Sequence, residues 1–121
     1  MRYLALFLMF LLLVGCGRRS TKDWLEQLHS PVVVKRREAI RELSRRPADV
    51  RRIVPALMIS LKDENAYVRH DAALALGKFS ANSKDALLLL TEALHDKDRN
   101  VRHAAEWAIK EIDPEHPALH P

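Results

Sequence analysis

The sequence predicts an all-α fold, a short right-handed α-solenoid of about three helical hairpins, preceded by a signal peptide. Two observations point to this fold class. First, the 121 residues are 48% hydrophobic and 30% charged with only 3 Gly, a balance that favours helices and is too apolar for a disordered chain. Second, the chain matches itself at a spacing of 33 residues, which is typical of repeat architectures. A single cysteine excludes an internal disulfide framework.

The first predicted element is a signal peptide over residues 1–15. A basic residue is followed by 12 consecutive apolar residues, fewer than the roughly 20 that a helix needs to cross a bilayer. The stretch Leu13-Val14-Gly15-Cys16 resembles the bacterial lipobox. This resemblance implies cleavage before Cys16 and acylation of that residue. An uncleaved signal anchor with an incidental cysteine is the alternative interpretation.

If Cys16 is acylated, the chain has a lipid anchor. Residues 16–21 are then the lipidated cysteine and a basic linker. Several acyl chains satisfy the rule that stable anchoring takes more than one. Gly17 follows the cysteine, and the resemblance to Gram-negative lipoproteins associates an Asp there with inner-membrane retention. The predicted location is therefore the bacterial cell envelope, with the outer membrane favoured if the cell is Gram-negative.

The predicted repeat domain spans residues 22–113, in units of about 21–53, 54–86 and 87–119, and each unit is expected to form a helix A and a helix B. Both helices carry apolar residues at helical spacing. The equivalent positions include Arg36/Arg69/Arg102, Ala39/Ala72/Ala105, Leu43/Leu76/Ile109 and Ser30/Asp63/Asp96.

Local signals predict where these helices begin and end. Asn65 and Asp98 are expected to cap the second and third helices B through their side-chain oxygens. Pro55 would interrupt a longer helix, so helix A of the second unit is expected to start near Arg52. The proline-spaced tail over residues 114–121 is expected to be extended or disordered.

The stretch Val68–Phe79, VRHDAALALGKF, resembles helix B of HEAT-like repeats of the phycobiliprotein-lyase type, and residues 96–105 repeat its opening. The resemblance covers residues 22–112. It implies an α-solenoid that binds proteins, with no reaction. It also implies a structural ladder between stacked repeats, carried by the turn aspartates and the arginines of helix B: Asp63, Arg69, Asp96 and Arg102.

The ridge formed by the helices B and the A–B turns is the predicted contact surface for a protein partner whose identity the sequence does not give. The residues expected to contact that partner are Arg36, His70, His103 and Trp107. Three repeats are close to the lower limit for a stable stack. We therefore expect marginal stability or stacking on a partner, and a homo-oligomer is one way to meet that need.

His70 and His103 raise a second hypothesis, because they lie one repeat apart. Deoxyhypusine hydroxylase has similar repeats and holds two irons with His-Glu pairs at such positions. Here the pairs are His70-Asp71 and His103-Ala104, and alanine cannot ligate a metal. The prediction is solvated histidines, no metal, no cofactor and no catalytic residue. A degenerate metal-binding protein or a lyase-like accessory protein is the alternative.

The basic charge is concentrated near the predicted anchor. Residues 16–53 hold 11 Lys and Arg against 5 Asp and Glu, while residues 54–121 hold 8 against 11. The first repeat could lie against an anionic membrane or an acidic partner. It could equally be a solvated face with i,i+4 pairs. Nucleic acid is not expected, since an exported lipoprotein does not normally meet DNA.

Overall fold

The structure is a computed structural model that describes residues 2–15 and 17–121. These residues form seven α-helices and no strand. The helices are α1 (Arg2–Gly15), α2 (Thr21–Gln27), α3 (Val33–Leu43), α4 (Val50–Ser60), α5 (Ala66–Lys78), α6 (Leu87–Ala93) and α7 (Arg99–Ile112).

Six of these helices pair into three hairpins: α2 with α3, α4 with α5, and α6 with α7. The hairpins stack in sequence order through their second helices, α3 on α5 and α5 on α7. We call these contacts the first junction and the second junction. The predicted all-α solenoid is confirmed.

The core consists of the apolar positions that repeat along the chain. Ala39, Ala72 and Ala105 are completely buried, and these small side chains let the second helices of adjacent hairpins approach closely. One turn further along each helix lie larger residues that are also fully buried, which are Leu43, Leu76 and Ile109. Burial of one larger side chain of this kind contributes about 1.5–3 kcal/mol, so these repeated positions help to stabilise the stack.

Side-chain caps start the second helices of the last two hairpins. The Asn65 side chain accepts hydrogen bonds from the backbone N–H groups of Tyr67 and Val68, and Asp98 does the same for Asn100 and Val101. Both predicted caps are confirmed. In the first hairpin, α3 begins after Val32 without a side-chain cap, since valine has no oxygen to offer.

Helix α4 starts earlier than predicted, at Val50, and it contains Pro55. The expected start at Arg52 was therefore wrong. Pro55 lies near the helix N-terminus, where it removes the one backbone donor that would reach the Arg51 carbonyl. Both residues are exposed, so water can satisfy that carbonyl.

The tail is ordered in the structure, which corrects the prediction of an extended or disordered segment. Pro117–Leu119 forms a 3-10 turn, and the Ala118 N–H donates to His116 Nδ1 at 3.3 Å. Leu119 packs against the hydrophobic core. The proline spacing indicated a break in helix, but it carried no information about this apolar contact.

Helix α1 comprises 14 residues, and Tyr3, Leu4 and Leu6 are exposed on it. Within residues 2–15 and 17–121, no helix combines the length and the hydropathy needed to span a membrane.

Candidate functional site

The two junctions share one polar motif, in which an arginine of one hairpin binds an aspartate in the turn of the next. At the first junction, Arg36 Nε and Nη2 donate to Asp63 Oδ2 and Oδ1 at 2.9 and 3.0 Å. At the second junction, Arg69 makes the same bidentate contact with Asp96 at 2.9 and 3.0 Å. Planar two-point pairs of this kind add geometric specificity as well as energy.

The third nitrogen of each arginine holds the turn of its own hairpin. Arg36 Nη1 donates to the Ser30 carbonyl at 2.9 Å, and Arg69 Nη1 donates to the Asp63 carbonyl at 2.8 Å. Each arginine therefore ties the turn before it to the turn of the following hairpin. We call this series the ladder.

Burial and hydrogen bonding act in opposite directions on Asp96. Burial favours the neutral acid, but hydrogen bonds from the Arg69 guanidinium and the Asp98 N–H favour the carboxylate, and together they lower the pKa of Asp96. The Asp96 side chain keeps 13% of its surface exposed and that of Arg69 9%. This pair is charged at neutral pH and largely shielded from solvent.

Arg36 needs a different role from the one predicted. It was placed among the residues that contact a partner, but it is buried and forms the first rung of the ladder. Its guanidinium is taken up by Asp63 and Ser30. The sequence showed that Arg36 is equivalent to Arg69. Because the first hairpin has Ser30 where the others have an aspartate, the sequence did not indicate that Arg36 pairs with Asp63 of the next hairpin.

Arg102 keeps only half of the motif. Its Nη1 donates to the Asp96 carbonyl at 2.8 Å and to the Lys97 carbonyl at 3.3 Å, as Arg69 Nη1 does one repeat earlier. In the part of the chain that the structure describes, no carboxylate pairs with Arg102. Arg102 therefore braces its own turn.

A second polar contact occurs at the first junction only. Arg37 Nε donates to Asp71 Oδ2 at 2.8 Å, and its guanidinium lies 5.1 Å from the centroid of the Tyr67 ring. The hydrogen bond to Asp71 raises the pKa of Arg37. The equivalent residues one repeat later are His70 and Ala104, which cannot form such a pair.

The two histidines differ in environment. His70 is about one-third exposed, and its Nδ1 lies 3.2 Å from Asp71 Oδ1, while His103 is exposed on α7. Among residues 2–15 and 17–121, no group of three or more His, Cys, Asp or Glu side chains is arranged to hold a metal ion.

Trp107 fills the second junction beside the ladder. The indole lies against Gly77, so closely that a Cβ on Gly77 would lie 2.9 Å from Trp107 Cε3 and 3.0 Å from the Ala108 Cα. The side chain is 38% exposed. Trp107 therefore packs between α5 and α7 and still presents an edge to solvent.

The same place at the first junction is an open cleft. Its residues Ser44 and Leu74 are equivalent to Gly77 and Trp107. The cleft has a volume of about 150 Å3, and it is lined by Arg37, Ile40, Arg41, Ser44, Asp71, Leu74, Ala75 and Lys78. Sequence reasoning missed this cleft, although the substitution of leucine for tryptophan at equivalent positions was a signal for it.

The linker after the predicted lipidation site is fixed to the first hairpin. Ser20 and Asp23 form a reciprocal capping box at the start of α2, and Arg46 Nη2 donates to the Arg19 carbonyl at 2.8 Å. The Arg19 guanidinium lies 5.0 Å from the ring of Trp24. Cys16 itself lies outside the described residues.

The basic residues of the first repeat have several different environments. Arg36 is buried in the ladder and Arg46 binds the linker, so neither is free for an external surface. Arg37 is half-buried and pairs with Asp71. The other arginines of residues 16–53 are exposed, and they are Arg18, Arg19, Arg41, Arg45, Arg51 and Arg52.

The family follows from these repeats. A family model described as HEAT repeats matches residues 21–110, which include all three hairpins except the end of α7. The chain belongs to the HEAT repeat family. Repeats of this family commonly mediate protein–protein interactions, which indicates an interaction or scaffold module. No curated protein matches the chain.

Proposed function

We propose that the chain is a membrane-anchored lipoprotein whose HEAT repeats bind a protein partner at the cell envelope. The observation that carries the binding function is the surface of the second helices. Those helices stack in order and leave an open cleft with polar and apolar lining at the first junction. Solenoids use such continuous helix surfaces for recognition. We further propose the phycobiliprotein-lyase type of HEAT repeat, on the strength of the sequence VRHDAALALGKF.

The membrane anchor rests on the sequence around Cys16 and on the short linker that follows. Only Gly17 and Arg18 lie between the cysteine and Arg19, whose carbonyl is bound by Arg46. At about 3.5 Å per extended residue, acyl chains on Cys16 would hold the first hairpin within about 10 Å of the lipid headgroups. The exposed Arg18 and Arg19 would then add attraction to anionic lipid, about 1 kcal/mol each.

The proposed activity is binding without bond chemistry. Two observations support this proposal. The charged groups at the two junctions join the hairpins, as the Arg69–Asp96 pair does. The HEAT family indicates an interaction module. A partner would therefore be recognised through an extended surface.

Replacement of Cys16 by serine tests the anchor. In cells fed radiolabelled palmitate, we expect the unmodified chain to take up label and to fractionate with membranes. We expect Cys16→Ser to take up none and to keep its signal peptide. Labelled Cys16→Ser protein, or a mature form of it that still sediments with membranes, would refute the lipid anchor.

The binding function needs a separate experiment. A photo-crosslinking residue at Leu74, inside the cleft, is compared in intact cells with the same residue at exposed Leu88 on α6. We expect a discrete crosslinked protein from position 74 and not from position 88. Equal capture at both positions, or capture at neither, would contradict the proposed surface.

A further inference from the structure

The cleft at the first junction is too small for a typical cofactor and large enough for one side chain. Its volume of about 150 Å3 is below the roughly 300–1,000 Å3 of sites that enclose small molecules. Three of its eight lining residues are apolar, namely Ile40, Leu74 and Ala75; Leu74 is half-buried and the other two are buried. A bulky apolar or aromatic side chain can fill such a site and remove its surface from water.

The rim of the cleft is cationic. Arg37, Arg41 and Lys78 line it together with a single carboxylate, that of Asp71. The negative charge of Asp71 is balanced by Arg37, whose Nε lies 2.8 Å from Asp71 Oδ2. Arg41 and Lys78 are exposed and form no ion pair with any carboxylate in residues 2–15 and 17–121.

The second junction shows what fits such a place. There the Trp107 ring occupies the position that Leu74 leaves partly open, and Gly77 stands where the first junction has Ser44. The spacing of adjacent hairpins in this fold therefore accommodates an aromatic ring between two second helices. None of the residues that line the first-junction cleft is aromatic.

We propose that the first-junction cleft binds an acidic segment of a protein partner. One aromatic or large apolar side chain of that segment enters the cleft, and a neighbouring carboxylate meets Arg41 and Lys78. The charge of the rim selects an acidic partner, because a basic segment would be repelled by both residues. This inference rests on the proposed protein-binding function and specifies the chemistry of the partner.

The test uses the full chain in a neutral detergent and a fluorescein-labelled probe peptide with one tryptophan between two pairs of glutamates. We expect saturable binding in a fluorescence anisotropy titration, with a Kd that rises with salt. A matched peptide with lysines in place of the glutamates is expected not to bind. Equal binding of both peptides, or of neither, would overturn the proposal.

Two variants locate the binding site. Arg41→Ala combined with Lys78→Ala is expected to raise the peptide Kd about tenfold or more, because both rim charges are lost. Arg51→Ala combined with Arg52→Ala removes the same charge from exposed positions on α4 and is expected to leave the Kd within about twofold. An equal loss in both variants would mean non-specific charge attraction and would overturn the proposal.

A third variant closes the cleft without changing its charge. Leu74→Trp with Ser44→Gly reproduces the Trp107–Gly77 packing at the first junction and is expected to abolish peptide binding. Circular dichroism shows whether it folds. If it folds and still binds the peptide, the cleft is not the site.

A last pair of measurements makes two distinctions. One separates a protein ligand from a lipid ligand, and the other separates failure of this inference from failure of the proposed function. Vesicles containing phosphatidylglycerol are expected not to compete with the peptide. Displacement of the peptide from the unmodified chain by these vesicles, together with weaker vesicle binding by the Arg41/Lys78 variant, would assign the cleft to lipid headgroups and overturn the proposal. Discrete crosslinking of a partner at position 74, together with failure of the acidic peptide to bind, would overturn this inference and leave the proposed function standing.

Discussion

The first and second junctions have the same ladder but different packing beside it. Arg36–Asp63 and Arg69–Asp96 have matching bond lengths, so the turn ends of the three hairpins are joined in the same way. Further along the helices, the second junction is closed by Trp107 against Gly77. The first junction has instead an ion pair, Arg37 with Asp71, and an open cleft.

This difference separates two tasks within one repeated architecture. The ladder fixes the register of the stack at both junctions, because its bidentate geometry tolerates little displacement. The neighbouring positions are then free to vary. At the second junction they contribute tight packing, and α5 and α7 contact each other more extensively than α3 and α5 do.

Loss of one ladder carboxylate is the largest effect we expect. Asp96→Ala leaves the Arg69 guanidinium buried without its partner, which we expect to lower the free energy of unfolding by about 3–5 kcal/mol. Asp63→Ala is expected to cost up to about 1 kcal/mol less, because Glu64 Oε1 lies 3.8 Å from Arg36 Nη2 and can take over part of the pairing. Urea denaturation of both variants measures the difference.

The control for these variants is an exposed pair. Lys110→Ala removes the 2.6 Å contact with Glu106 on the surface of α7, and we expect a loss below about 0.5 kcal/mol. If Asp96→Ala were as mild as this control, the ladder would not fix the stack.

The packing of Trp107 on Gly77 predicts a coupling that the first junction lacks. Gly77→Ala puts a methyl group against the indole and is expected to lower the free energy of unfolding by about 1–3 kcal/mol. In a Trp107→Leu background the same change is expected to cost at least about 1 kcal/mol less, because the indole contact is gone, alanine favours helix over glycine, and only the 3.0 Å approach to the Ala108 Cα remains. A double-mutant cycle by urea denaturation gives the coupling energy.

The matched position at the first junction is Ser44, which already carries a Cβ. Ser44→Ala removes only the hydrogen bond from Oγ to the Arg41 carbonyl, and we expect a change within about 0.5 kcal/mol. A Ser44→Ala loss as large as that of Gly77→Ala would contradict the difference between the junctions.

Acid is expected to weaken the second junction through Asp96. The folded-state pKa of Asp96 is lowered, so its contribution to stability is complete above the unfolded value of about 3.9 and is lost as the pH falls through the folded pKa. Thermal unfolding measured from about pH 5 down to about pH 2, a range that extends roughly one to two units to each side of the unfolded pKa, shows this loss of stability. Asp96→Asn is expected to have a shallower pH dependence there, and an unchanged slope would contradict the assignment.

A small effect is expected at Trp24, the indole at the opposite end of the stack from Trp107. Trp24 is buried, and its Nε1–H has no hydrogen-bond partner among the described residues. We expect Trp24→Phe to change the free energy of unfolding by less than about 1 kcal/mol, because the smaller contact area is offset by removal of an unpaired donor. A larger loss of stability on thermal unfolding would contradict this expectation, because it would mean that the Trp24 indole makes favourable contacts that phenylalanine cannot replace.

The sequence predicted the features that depend on residues within one hairpin or on the repeat spacing. Asn65 was recognised as a cap because capping is local, and the alanines such as Ala72 marked the contact between second helices. Arg37–Asp71 was not predicted, because the two residues are 34 positions apart and do not occupy equivalent positions in their units. Their contact depends on how far α3 and α5 rotate about their axes.

The sequence carried one signal for the cleft, but that signal was not enough to predict it. Leu74 and Trp107 could be aligned, but whether an indole packs on Gly77 or faces solvent depends on how closely α5 and α7 approach each other, which is a tertiary property. The tail was mispredicted for a similar reason, because the packing of Leu119 on the core is a tertiary contact that prolines do not report.

The outer face of α7 limits how the array can be lengthened by design. Glu106 and Lys110, which form an exposed ion pair, stand where α5 has the buried Ala73 and Gly77. A fourth hairpin added in register would have to dehydrate both charges, at several kcal/mol each. An engineer who restored alanine and glycine at these two positions, and supplied an aspartate for Arg102, would turn this surface into a site for further growth.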